Sequence, residues 1–78
     1  MKEIYVKTTV YDMGEGWRVD ITEEIETYNA WIYYKDCGIK ELMFGVGKDK
    51  IDFDSFCDMV TANYEEYQDS YKEEYCDK

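Results

Sequence analysis

The chain has 78 residues, a length that suits one small domain in which only about 60% of the unfolded chain's surface becomes buried. It carries 19 acidic and 9 basic residues, a formal net charge of −10, and neither histidine nor proline. This charge disfavours direct binding to nucleic acid or to an anionic membrane, because both are themselves negative. Aromatic residues make up 18% of the chain, which separates it from disordered acidic tails.

Alternating residues predict an antiparallel hairpin at the start of the chain. Residues 2–11 and residues 17–22 each alternate between two faces, which is the period of a β-strand. The glycine-bearing stretch 12–16 predicts the turn between them. The alternation is lost at Glu23 and Glu24, so we expect a bulge or the end of the second strand there.

Two more strands are predicted before residue 47. Residues 30–35 form a third β-rich run, and residues 36–38 contain a plausible turn. The fourth strand is predicted over residues 40–46. It places these side chains on one face: Leu42, Phe44 and Val46.

The last third of the chain predicts one long helix over residues 52–76. Apolar side chains recur at steps of three and four and form one stripe: Phe53, Phe56, Cys57, Val60, Tyr64, Tyr67, Tyr71 and Tyr75. Asp52 or Asp54 can cap the helix start. We therefore expect an α+β fold in a single domain, residues 1–78, in which a four-stranded antiparallel sheet (strands within about 2–46) carries the helix on one face.

The sequence offers little catalytic or cofactor chemistry. Without histidine the usual nucleophile–base pairs cannot be built, and the carboxylate pair Glu65–Glu66 is typical of a solvated face. Residues 45–48 lack the spacing and the Ser/Thr of a phosphate-binding loop, and calcium loops starting at Asp12 or Asp52 lack the required glycine at the sixth position. We expect no enzyme, no cofactor and no metal site.

The sequence also limits the expected compartment and the expected state of the cysteines. The longest apolar run, residues 30–34, is far shorter than the roughly 20 residues that span a bilayer, so the expectation is a cytoplasmic protein without membrane association. Cys37, Cys57 and Cys76 form no C-x-x-C pair and are expected as reduced thiols. Cys57 and Cys76 would lie nearly 30 Å apart along one helix and cannot bridge each other there.

The negative charge is concentrated in the predicted helix. Residues 52–78 carry nine acidic residues and two lysines, which accounts for seven of the ten net negative charges. On a helical wheel, one acidic face lies opposite the apolar stripe and is the predicted partner-binding site: Asp58, Glu65, Glu66, Asp69 and Glu73. This face predicts either an ordinary solvated surface or a mimic of a nucleic-acid backbone that occupies a basic groove.

Aromatic side chains exceed what one small core requires. Trp31 and Tyr33 alternate with apolar neighbours in the third strand, and Tyr5 and Tyr11 do so in the first, so one helix cannot cover all of these rings. The long helix is expected to overhang the sheet at its end. Candidate partner-binding aromatics are therefore predicted on the uncovered sheet face and on the helix: Tyr5, Tyr11, Trp31, Tyr33, Tyr67, Tyr71 and Tyr75.

In overall character the chain resembles small inhibitors encoded by phages and mobile elements, including anti-CRISPR proteins and other DNA mimics. The resemblance rests on its length, its acidity, its hairpin-rich first part and the Tyr/Glu/Asp-rich stretch of residues 63–75. It implies a protein that blocks the nucleic-acid channel or target-recognition site of a defence enzyme such as a CRISPR effector. The alternative is an interaction module, or a homodimer, that binds through the aromatic sheet face.

Overall fold

The computed structural model of the chain describes residues 6–76, and it confirms the predicted ββββα order. Four strands form one antiparallel sheet in the order β1-β2-β3-β4, and a helix follows them. The elements are β1 (Lys7–Gly14), β2 (Trp17–Glu23), β3 (Thr27–Tyr34), β4 (Ile39–Gly47) and α1 (Phe53–Tyr71), and a π-helical turn (Lys72–Cys76) closes the described part of the chain.

The first strand ends three residues later than the sequence predicts. Strand β1 continues to Gly14, and the register with β2 shifts between Asp12 and Gly14. The Asp12 side chain accepts a hydrogen bond from the Gly14 N–H at 2.9 Å. Gly14, Glu15 and Gly16 all adopt positive φ angles, a conformation that two glycines make accessible in a tight hairpin.

The predicted facing of β1 is wrong for Tyr11. Tyr11 pairs with Val19, whose side chain is 1% exposed on the helix-covered face, whereas Val10 pairs with Asp20 on the opposite face and is 55% exposed. Tyr11 is therefore not part of the uncovered aromatic face. Strand β1 is an edge strand, so its valines can lie in solvent although their pattern resembles that of a core strand. Tyr5 lies outside the described residues.

A β-bulge interrupts the predicted alternation of β4 at Met43. Ala30 pairs with Phe44 and Trp31 pairs with Leu42, so Met43 is the extra residue of a β-bulge. Met43 is 6% exposed and joins the core, whereas Leu42 is 46% exposed and lines a small pocket with Tyr67 and Tyr71 of the helix.

Helix α1 forms where the sequence predicts it. Asp52, the first of the two candidate caps, accepts from the Ser55 backbone N–H at 2.8 Å. This hydrogen bond lowers the pKa of the Asp52 carboxyl. The predicted apolar stripe packs on the sheet, with Phe56 and Val60 buried among β2 and β3 side chains and the remaining stripe residues packed around them.

Two groups of aromatic rings fill the layer between helix and sheet. Towards the start of α1, Phe56 contacts two strands, with ring centroids 5.4 Å from Tyr28 and 5.6 Å from Phe44. Towards its end, Trp17 stacks on Tyr34 at 4.2 Å and meets the edge of Tyr71 at 5.4 Å. Aromatic pairs of this kind contribute about 0.5–1.5 kcal/mol each beyond their buried area. Most of the aromatic surplus therefore serves the core.

The helix does not overhang the sheet as predicted. The Tyr71 side chain is 2% exposed, and its hydroxyl donates a hydrogen bond to the Ile39 carbonyl at the start of β4. The π-helical turn then brings the Tyr75 ring to 4.9 Å from Tyr71. The nearby Glu41 carboxylate raises the pKa of Tyr75 to about 12. Tyr71 is thus an anchor of the helix end and is not available to a partner.

Substituting Tyr71→Phe tests this anchor. The variant loses the hydrogen bond to Ile39 but keeps the ring, so we expect the free energy of unfolding to fall by about 1–2 kcal/mol in a urea titration. Tyr67→Phe is the matched control, because its ring packs in the same layer and no hydrogen bond of its hydroxyl is seen within residues 6–76. Equal losses in the two variants would contradict the assignment.

Candidate functional site

The five predicted acidic residues form one exposed surface on α1 and the π-helical turn. We call this set the acidic helix surface, and every one of its side chains is exposed: Asp58, Glu65, Glu66, Asp69 and Glu73. The residues that pack on the sheet lie on the other side of the helix. The helix therefore separates its structural contacts from its charge.

The acidic helix surface has no cationic partner within residues 6–76. The two salt bridges in this part of the chain both involve Asp20 on the sheet. The one lysine on the described helical segment is Lys72, and it makes no salt bridge there. Carboxylates that are unpaired and exposed produce a negative potential that extends into solvent over about one Debye length, roughly 8 Å at physiological salt.

The spacing of these carboxylates is regular over the α-helical part. Glu65 and Asp69 lie four residues apart, a rise of about 6 Å along the axis, which is close to the distance between neighbouring phosphates of a nucleic-acid strand. In the sequence, Glu73 follows Asp69 at the same four-residue step, which would extend the row in an ideal α-helix. The π-helical turn begins at Lys72, so Glu73 is rotated relative to an ideal α-helix, and the regular row is shorter than predicted.

The uncovered sheet face is organised around a buried carboxylate that the sequence analysis did not single out. Asp20 is 3% exposed although no helix covers it. Arg18 donates to both of its oxygens, at 2.9 and 3.2 Å, and Lys40 lies 3.2 Å from its second oxygen. Arg18 and Asp20 share a face because they are two residues apart on one strand, but the contribution of Lys40 depends on the register of β3 and β4.

Trp31 and Tyr33 lie on this uncovered face, as predicted, but their rings are largely engaged within the protein. The Arg18 guanidinium sits 4.4 Å from the centroid of Tyr33, and the Lys40 ammonium sits 5.6 Å from that of Trp31. The Trp31 indole N–H donates to the Thr22 hydroxyl at 3.2 Å. These contacts reduce the aromatic surface that a partner could cover.

The predicted aromatics of the helical segment lie in the layer between sheet and helix. Tyr67 packs 5.6 Å from Phe44, and Tyr71 and Tyr75 pack on each other. The structure therefore does not place them beside the acidic helix surface. It divides the predicted site residues within 6–76 into three groups: the acidic helix surface, the uncovered face and the layer between sheet and helix.

An apolar cavity of about 90 Å³ lies between β1 and the helix, lined in part by Tyr11, Met13 and Cys57. The Tyr11 hydroxyl is 3.7 Å from the Cys57 sulfur, and this contact raises the pKa of Tyr11. Ligand pockets typically reach roughly 300 Å³ or more, so this cavity has room for a side-chain-sized group only.

Within residues 6–76, no cluster of three potential metal ligands occurs, and no helix has the length and apolar character to cross a membrane.

Neutralising part of the acidic helix surface should stabilise the fold. In the double variant Glu65→Gln/Asp69→Asn, the repulsion between like charges four residues apart is removed, so we expect the free energy of unfolding to rise by a few tenths of a kcal/mol at low salt. The difference from wild type should vanish in high salt, where the repulsion is screened. A variant less stable than wild type in thermal unfolding at low salt would show that these carboxylates have stabilising partners.

Removing both cations from the uncovered face should destabilise the fold. In Arg18→Met/Lys40→Met, Asp20 stays buried without a partner, and we expect a loss on the order of 3 kcal/mol in a urea titration. Changing Asp20→Val in the same background should recover most of that loss, because the buried charge is then absent. Near-wild-type stability of the double variant would contradict the described burial of Asp20.

Comparison of the chain with protein-family models, with curated proteins and with solved structures finds no match. The resemblance to phage-encoded inhibitors therefore stays a prediction from the sequence.

Proposed function

We propose that this protein is a non-enzymatic inhibitor that binds a basic nucleic-acid-binding protein through the acidic helix surface. The observation that carries the proposal is a set of five exposed carboxylates on one side of the helical segment, with no salt bridge to any residue from 6 to 76. These carboxylates take the place of backbone phosphates in a groove that normally holds nucleic acid.

The cost of this arrangement supports a role beyond solubility. Like charges at i and i+4 destabilise a helix by a few tenths of a kcal/mol per pair, and interspersed lysines would relieve the repulsion while keeping the surface polar. The aromatic layer on the other side of the helix holds it in place despite the repulsion. The negative charge is thus concentrated on a surface that does not hold the helix to the sheet.

The partner has a surface that attracts phosphates. Lysine and arginine residues in a nucleic-acid channel form such a surface, and their attraction to carboxylates speeds association and weakens with salt. The class resemblance of the sequence narrows the proposed partner to a defence enzyme, with a CRISPR effector as the first candidate. The protein itself does not bind nucleic acid in this proposal, because the two negative surfaces repel each other.

The competing candidate is an interaction module that uses the uncovered sheet face. It is favoured by the side chain of Val10, which is 55% exposed and pairs with Asp20 on this face. Trp31 and Tyr33 would be its aromatic anchors, and self-association as a homodimer is one of its forms. Such binding depends on apolar area and tolerates salt, which separates it from the first candidate.

A charge-reversal pair tests the proposal. We expect Glu65→Lys/Asp69→Lys to weaken inhibition of, or binding to, a purified CRISPR effector by at least about tenfold, because two attractive contacts become repulsive. The matched control is Glu15→Lys/Asp49→Lys, which changes the net charge equally at two exposed positions outside the helix. Circular dichroism first establishes that both variants are folded.

The proposal requires that the control keeps nearly full activity and that duplex DNA competes with the wild-type protein. Equal activity of the two folded variants would contradict it. If the chosen effector is not bound, affinity capture from a bacterial lysate at low and high salt identifies the candidates for the same test. Capture that resists high salt, or self-association alone, would favour the uncovered sheet face instead.

A further inference from the structure

Two cysteines that are 39 positions apart in the sequence meet at one end of the molecule. Cys37 lies in the turn between β3 and β4, where its backbone N–H donates to the Tyr34 carbonyl at 3.1 Å. Its thiol is 3.8 Å from the Tyr75 carbonyl oxygen, to which it donates. Cys76 follows Tyr75 at the end of the π-helical turn, so the two thiols belong to segments that are already in contact.

The Cys37 thiol also lies close to Cys76, the residue after Tyr75. This neighbouring thiol raises the pKa of the Cys76 thiol to about 11. Both side chains are half-buried and pack against the core. Each backbone is therefore held in a defined structure, and each cysteine retains some exposure to solvent.

We propose that Cys37 and Cys76 form a reversible disulfide that fastens the last helical turn to the β3–β4 turn. The sequence predicted three separate reduced thiols and excluded a bridge between Cys57 and Cys76. Cys57 remains apart, because its sulfur contacts the Tyr11 hydroxyl at β1. The proposed disulfide therefore excludes Cys57. It does not depend on the proposed inhibitory function.

The oxidant in this reaction is a small disulfide such as oxidised glutathione. The Cys37 thiolate attacks one sulfur of the oxidant, forms a mixed disulfide and releases one glutathione thiolate. Cys76 then loses its proton and attacks the Cys37 sulfur, which releases the second glutathione thiolate. The two protein thiols lose two protons and two electrons, and the oxidant gains both electrons as its S–S bond breaks.

The proposal is tested by mapping the cysteines after equilibration of the reduced, full-length protein with oxidised and reduced glutathione. Trypsin places the three cysteines in separate peptides, residues 36–40, 51–72 and 73–78. We expect the first and third peptides to be joined in a monomer, with Cys57 alone available for alkylation. The oxidised monomer should be lighter by about 2 Da, and its Tm should rise by roughly 10 °C or more because the bridge restricts the unfolded chain.

Dithiothreitol should reverse the change. Cys57→Ser should behave as wild type, whereas Cys37→Ser should lose both the bridge and the rise in Tm. A bridge that includes Cys57, a bridge between two molecules, or three freely alkylated cysteines after equilibration in excess oxidised glutathione would each overturn the proposal. This result does not depend on the folding of any variant, because the map is read on the wild-type protein.

Discussion

The aromatic layer between the helix and one face of the sheet is the interaction on which the rest of the structure depends. Phe56 at one end and Tyr71 at the other are almost completely buried, and each contacts rings from the strands. Because the apolar contacts of the helix lie on this side, its opposite side makes no contact with the sheet within residues 6–76. A short chain can therefore carry a strongly charged surface without disturbing its core.

The two outer surfaces of the protein differ in how their charges are satisfied. On the uncovered sheet face, Asp20 is enclosed by Arg18 and Lys40, and both cations also stack on aromatic rings. On the helix, the carboxylates are exposed and have no salt-bridge partner within residues 6–76. The charges on the uncovered sheet face are balanced within the chain. The unpaired carboxylates on the helix suit a cationic partner, which is why the proposed contact is assigned to the helix.

Patterns with a local cause could be predicted from the sequence. Alternation over residues 17–22 predicted β2, and the three-and-four spacing from Phe53 to Tyr75 predicted the helix and its buried stripe. Features that depend on strand register could not be predicted from the sequence. The bulge at Met43 interrupts the alternation of β4, the pairing of Tyr11 with Val19 places that ring on the helix side of the sheet, and Lys40 reaches Asp20 across β3. The proximity of Cys37 and Cys76 depends on how the end of the helical segment packs against the β3–β4 turn, and no local sequence pattern predicts it.

The most direct test of the central claim is the dissociation constant between this protein and a nucleic-acid-binding partner, measured by calorimetry over a series of salt concentrations with and without duplex DNA. If the acidic helix surface occupies a phosphate-binding groove, affinity falls steeply as salt rises, and DNA and protein exclude each other. An affinity that is independent of salt, or a stable ternary complex with DNA bound in the same groove, would contradict the claim.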